Sequence, residues 1–194
     1  MRPTQRDKVM RMAPKDWKKA LQAADGIPDG WYKCQALAQV AQICPLAKQQ
    51  GTILKNAFKA GLSSGDPNRV VTASAWPLRV LAETGKERAV QEETTRLLEI
   101  LKKEANPTRR MDALVEVVLS LVASRSSFLK ALQEFEVACR EANSWKGPRA
   151  IARVLPFVAQ VDPARASQLS QLIADAKERQ KLERDLANST GNGA

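Results

Sequence analysis

Residues 66–105 read DPNRVVTASAWPLRVLAETGKERAVQEETTRLLEILKKEA and contain one complete helix–break–helix unit. Asp66 is placed to cap a helix that Pro67 opens, because proline at the first helical position forfeits no needed hydrogen bond. Val70, Val71, Ala73, Ala75, Leu78, Val80 and Leu81 leave this first helix little polar surface, so it is predicted to be buried on most sides. Thr84-Gly85 ends it. From Lys86 to Ala105, Val90, Leu97, Leu98, Ile100 and Leu101 lie among Glu87, Glu92, Glu93, Arg96, Lys102 and Lys103. Spacings near three and four residues predict a helix with one inward and one wet face. Asn106-Pro107 closes the unit and opens the next.

The same punctuation recurs on both sides of this stretch. First helices open at Pro28, Pro67, Pro107 and Pro148, at intervals of 39, 40 and 41 residues. Breaks within each pair fall at Pro45, Gly85, Ser124 and Pro163, at intervals of 40, 39 and 39. Ala36, Ala75, Ala113 and Ala152 keep nearly the same step inside the first helices, where a small side chain lets neighbouring helices approach. Two series of breaks with one period near 40 residues are the mark of a helical solenoid.

Each unit is legible in turn. The first runs Trp31–Ile43 and Leu46–Leu62, after the turn at Gly26–Gly30. The third runs Pro107–Val122 and Phe128–Ala142, across a Ser-rich break at Ser124–Ser127. The fourth opens at Gly147-Pro148, breaks at Asp162-Pro163 and continues from Ala164 as one helix into the charged KERQKLERDL. Before the units, residues 1–12 read as a basic arm or frayed turn, and Ala13-Pro14 opens a helix with Trp17, Leu21 and Ala24 on one face. Residues 188–194 are expected to be disordered.

Composition narrows the function. Among 194 residues, 44% are hydrophobic and only 5% aromatic, a balance that favours helices packed through small residues over sheet. No apolar run reaches the roughly 18 residues of a membrane span, and the first residues lack the apolar core of a signal peptide. A cytoplasmic setting without membrane attachment is expected. The chain has no histidine, which removes the commonest metal ligand and the usual acid–base shuttle. Cys34, Cys44 and Cys139 have no metal-type spacing and sit among apolar residues, as buried structural thiols do. No phosphate loop, nucleophile elbow or dinucleotide fingerprint occurs. Glu92-Glu93 and Glu134/Glu136 lie on charged helix faces, and adjacent residues project about 100° apart on a helix. No catalytic residue, metal site or cofactor is expected.

The net charge of +10 is uneven. Residues 1–24 carry seven basic and two acidic side chains, residues 66–105 seven of each, and residues 106–145 five of each. Arg11, Lys15, Lys18 and Lys19 belong to the basic end and would attract phosphate or an acidic partner. Arg69, Arg109 and Arg149 recur every 40 residues just after their opening prolines. They are placed either to contact phosphate or an acidic protein along one edge, or to snorkel and cap carbonyls there. On the second helices the ladder alternates in sign: Lys59 aligns with Glu99 and Arg140, and Lys55 with Thr95 and Glu136. Trp31 and Trp145, near turns before helices, are candidates for binding anchors or for covers of the core edge.

Units of two helices, with proline inside an apolar first helix (Trp76-Pro77-Leu78, Leu155-Pro156-Phe157) and a charged second helix, resemble HEAT-type repeats. Trp31–Ala41 and Arg110–Val117 are similar to the Ala/Leu-rich repeats of many bacterial multidomain proteins. The resemblance spans most of residues 26–180. It implies a curved stack with a concave face formed by the second helices, and it implies binding in place of chemistry. Some HEAT-like proteins cradle DNA, among them glycosylases of alkylated bases.

The expected fold is therefore all-α, a right-handed α–α superhelix of about four two-helix repeats with terminal capping helices. Its expected parts are a basic N-terminal arm and capping helix over 1–25, a repeat domain over 26–187 and a tail over 188–194. The expected function is that of a non-enzymatic adaptor or scaffold for a protein partner, an acidic one by charge. The alternative is a HEAT-like nucleic-acid-binding protein that uses the basic N-terminal helix and the edge arginines.

Overall fold

A computed structural model describes residues 4–142 and 144–191. Met1–Pro3 of the expected arm and residues 192–194 of the expected tail lie outside the described residues. The described chain is all-helical, with eleven helices: α1 Gln5–Met12, α2 Trp17–Asp25, α3 Gly30–Ile43, α4 Ala47–Leu62, α5 Pro67–Glu83, α6 Glu87–Leu101, α7 Pro107–Ser120, α8 Arg125–Ala142, α9 Gly147–Val161, α10 Pro163–Ser170 and α11 Ala176–Gly191.

The caps follow the sequence signals. Asp66 accepts from the Arg69 amide at 3.1 Å, and Asn106 from the Thr108 and Arg109 amides at 3.0 and 3.2 Å, each just before a proline that opens its helix. Gly85, at φ +70°, takes the left-handed conformation that stops α5. Ser124 to Ser127 are mostly absorbed into α8, which begins at Arg125. The Ser124 and Ser126 hydroxyls donate to Glu87 at 2.9 and 2.6 Å and tie the start of α8 to that of α6.

Neighbouring helices pack together in a consistent order. Within the pairs, α3 lies on α4, α5 on α6, α7 on α8 and α9 on α10. The first helices also pack on one another, α1 on α3, α3 on α5, α5 on α7 and α7 on α9. Among second helices α6 packs on α8, and contact of that extent is absent between α4 and α6 among the described residues. Small side chains make the first-helix contacts close. Cys34, Ala36 and Ala41 on α3, and Ala73, Ser74 and Ala75 on α5, are all buried.

One contact there follows from proline chemistry. Pro77 has no amide hydrogen to give to the Ala73 carbonyl, four residues back in α5. The Cys34 thiol donates to that oxygen at 3.2 Å. Burial pushes this thiol up to about 12, so it keeps the proton it donates. The structural thiol and the internal proline are parts of one arrangement.

Three segments differ from the sequence reading. The helix expected to open at Ala13-Pro14 begins instead at Trp17, because Ala13–Lys15 form a turn and Asp16 caps the helix by accepting from the Lys19 amide. Where a basic arm or frayed turn was expected, Gln5–Met12 is a capped helix. Thr4 accepts from the Asp7 amide while the Asp7 carboxylate accepts from the Thr4 amide, and Val9 is buried. Its low apolar content hid it, since only Val9, Met12 and the capping Ala13 turn inward, among charged residues. The last helix, expected to run on from Ala164, breaks after Ser170. Ile173 is buried in the connection, and Asp175 starts α11 by accepting from the Lys177 and Glu178 amides. Helix α11 continues through the first residues of the expected tail to Gly191.

The cap of α1 has a pH signature. The Asp7 carboxyl is held down to about 2, first by the Arg6 guanidinium and then by Thr4. A carboxyl lowered from its ordinary 3.8 stabilises the fold fully above that value and stops doing so as pH falls through about 2. Amide protection in α1, followed by NMR, is expected to fall between about pH 4 and 2. Asp7→Asn should remove that step. An unchanged acid step in the variant would show that the cap does not hold the helix.

Candidate binding surface

Three of the first helices carry a stripe of partly or fully exposed side chains. On α5 it is Arg69, Thr72, Trp76, Arg79 and Glu83. On α7 it is Asp112, Glu116, Leu119 and the following Ala123, and on α9 it is Arg149, Arg153 and Phe157. These steps of three and four residues return to one side of a helix. Side-chain bridges join neighbouring first helices and their ends. Arg6 Nη1 donates to Gln35 Oε1 at 2.8 Å, Gln42 Nε2 to Glu83 at 3.5 Å, Arg153 to Glu116 at 2.7 Å and Lys146 to Asp112 at 3.3 Å.

The starts of the first helices carry arginine–aromatic pairs. The Arg69 guanidinium lies 5.4 Å from the Trp31 ring centre, Arg149 lies 5.2 Å from that of Trp145, and Arg6 lies 5.7 Å from that of Tyr32. Four residues nominated from sequence thus meet in two pairs. The third nominated edge arginine is engaged otherwise. Arg109 donates to Asp66 at 2.6 Å and lies 3.3 Å from Glu104, while the Asn68 amide donates to its carbonyl at 2.5 Å. The Arg69 amide and then the Arg109 guanidinium hold the Asp66 carboxyl below its ordinary range. Arg109 therefore clamps the start of α7 onto the start of α5. Arg69, Arg79 and Arg149 have no ion pair among the described residues.

The tryptophans divide. Trp17 and Trp31 are half-buried against the core, whereas Trp76 is 39% and Trp145 71% exposed. At 71%, Trp145 covers little core. The nominated N-terminal residues do not gather into one stripe, because the chain turns over Ala13–Lys15. Arg11 is on α1, Lys15 in the turn and Lys18 and Lys19 on α2, with Lys19 3.7 Å from Asp16.

Two features escaped the sequence reading. Arg79, Arg153 and Phe157 belong to the exposed stripes, and the three- and four-residue steps from Trp76 and Arg149 carried that signal. Lys48, Lys55 and Lys59 fall at i, i+7 and i+11 of α4, which has no acidic residue, and all three are exposed. Alignment across repeats concealed this stripe, which exists only along one helix. Among the described residues no group of three His, Cys, Asp or Glu is placed to hold a metal ion, and no helix is long and apolar enough to cross a membrane. No family model, curated protein or solved structure matches the chain, so function is argued from these residues.

Proposed function

We propose that this chain is a non-enzymatic adaptor, a HEAT-like stack of about four helix pairs that binds an acidic protein partner on its first-helix face. The observation that carries the reading is the row of Arg–aromatic pairs at the exposed helix starts, Arg6/Tyr32, Arg69/Trp31 and Arg149/Trp145. Tryptophan, tyrosine and arginine dominate the energy of protein interfaces, because each joins large contact area to fixed polar geometry. Arg69, Arg79 and Arg149, none of them in an ion pair among the described residues, favour carboxylates on the partner.

The curvature follows from the same packing. A stack whose first helices lie close while its second helices spread bends toward the first helices. The concave side in this reading is therefore the first-helix face, opposite to the side that the resemblance implies. One observation favours nucleic acid as a second reading, the carboxylate-free lysine stripe of α4, which would neutralise phosphates.

One capture experiment from native lysate separates the two. Wild-type bait is expected to retain a discrete protein after nuclease treatment, and Trp145→Ala with Arg69→Glu is expected to reduce capture by about tenfold or more. Capture that nuclease abolishes, or that only Lys55→Glu and Lys59→Glu reduce, would overturn the adaptor reading in favour of the second.

A further inference from the structure

Beside the start of α9 lies a single cavity of about 240 Å³. Asp112 and Val115 line it from α7, Arg149, Ala150 and Arg153 line it from α9, and Trp145-Lys146 of the connection complete it. Val115 and Ala150 are buried and present aliphatic carbon to it, while the indole of Trp145 stands mostly in solvent at its edge. An exposed tryptophan next to an aliphatic hollow is apolar surface that a partner's side chain can cover.

The charges around the cavity leave one cation over. Lys146 lies 3.3 Å from Asp112 and Arg153 lies 2.7 Å from Glu116. Arg149 is exposed and has no ion pair among the described residues. Its guanidinium lies over the Trp145 ring, 5.2 Å from the centre. A ring offers no oxygen to the N–H fork, so Arg149 keeps donors whose planar geometry fits a carboxylate.

Size and lining select the occupant. The volume falls below the roughly 300–1,000 Å³ of small-molecule sites, and suits one side chain. Aliphatic carbon reads no base edge, and the carboxylates of Asp112 and Glu116 oppose a phosphate more strongly than a singly charged group. Because Arg149 itself lines the cavity, the apolar group and the anion must come from the same short segment, whatever its backbone conformation.

We infer that this cavity takes one apolar side chain of the partner protein, with the carboxylate of an adjacent residue paired to Arg149. This rests on the reading of the first-helix face as the partner surface. It adds where the partner's anchor enters and the residue pair that the anchor carries.

NMR of the ¹⁵N-labelled full chain tests it through the indole N–H signals of the four tryptophans, with that of Trp145 assigned by Trp145→Phe. The probes are an acetylated, amidated Gly-Ser-Phe-Glu-Ser-Gly peptide, its glutamine-for-glutamate and alanine-for-phenylalanine versions, and a six-nucleotide thymidine strand. The first peptide is expected to move the Trp145 signal with an affinity about fivefold or more above either peptide control. Arg149→Gln should equalise the glutamate and glutamine peptides and keep the preference for phenylalanine over alanine. Ala150→Leu, which fills the floor, should remove that second preference. The other three indole signals and circular dichroism check that each variant is folded, and Arg149→Gln decides if Ala150→Leu is not. A Trp145 signal that no peptide moves at about 1 mM, equal affinities for the three peptides, or a glutamate preference that survives Arg149→Gln would overturn the inference. Tighter binding of the thymidine strand at Trp145 would overturn it in favour of a nucleotide. If the peptides fail while capture from lysate still depends on Trp145 and Arg69, the adaptor reading stands without this anchor. If the peptide preferences hold while nuclease abolishes capture, the anchor site stands and the adaptor reading falls.

Discussion

Phe135→Ala is expected to lower the unfolding free energy by about 3–5 kcal/mol, the range for a fully buried aromatic ring replaced by alanine. Phe128, Ala131, Leu132, Phe135 and Ala138 form the inward stripe of α8, and Phe128, Leu132 and Phe135 are each 0% exposed. They face α7, whose Met111, Ala113, Leu114, Val117 and Val118 are equally hidden. A helix that carries Arg125, Lys130, Glu134, Glu136, Arg140 and Glu141 on its other sides is held mainly by this stripe. The void left by the ring is enclosed by both helices and cannot collapse without moving one of them. Phe157→Ala should cost less, because its ring is only partly buried. Urea unfolding of both variants measures the contrast. A loss below about 1 kcal/mol for Phe135→Ala would mean that α8 is not seated on α7.

Opposite signs are expected at two glycines. Gly30 begins α3, and a methyl group there would sit 2.6 Å from the Ala60 carbonyl oxygen and 2.4 Å from Ser63 Oγ. The serine hydroxyl can turn away, but the carbonyl belongs to the last turn of α4 and moves only if that turn opens. Gly30→Ala is expected to destabilise by about 1–3 kcal/mol, as other overpacked contacts do. Gly51, inside α4, has nothing within 4 Å of the same methyl position. Gly51→Ala should stabilise by about 0.5–1 kcal/mol, because alanine loses less backbone freedom in a helix. Thermal unfolding of the pair decides. A neutral Gly30→Ala would mean that the start of α3 does not rest on the end of α4.

These expectations sort what was readable along the chain. The bounds of α5 and α7 were legible because Asp66-Pro67 and Asn106-Pro107 act within a few residues of themselves, through a side-chain acceptor and a fixed φ. The end of α5 at Gly85 was legible for the same reason. Helix α1 was not, because its stability comes from a reciprocal Thr4–Asp7 cap and a short apolar row, Val9, Met12 and Ala13, too brief to stand out among the basic residues. Nor was the break after Ser170, since the apolar residues around it keep a helical spacing and only the docked fold buries Ile173 in a connection before Asp175 starts another helix.

The candidate surface divides in the same way. Sequence nominated Arg69, Arg109 and Arg149 as equivalents on a period of 40, and up to their position after the opening proline they are. What each does depends on which neighbour lies across from it: Trp31 for Arg69, Asp66 and Glu104 for Arg109, and Trp145 for Arg149. Only one of the three is held by carboxylates, because only Arg109 meets one at the start of the preceding first helix, Asp66, and another in the connection before its own helix, Glu104.

By itself the sequence determined the helical class and the caps at Asp66 and Asn106, which depend on interactions within about one turn of the chain. Only the tertiary structure decided that the first helices, not the second, pack closest. It also decided that arginines meet aromatic rings at their ends. Those outcomes depend on which side chains far apart in the chain come within a few ångströms, and no periodicity along one strand of sequence encodes that.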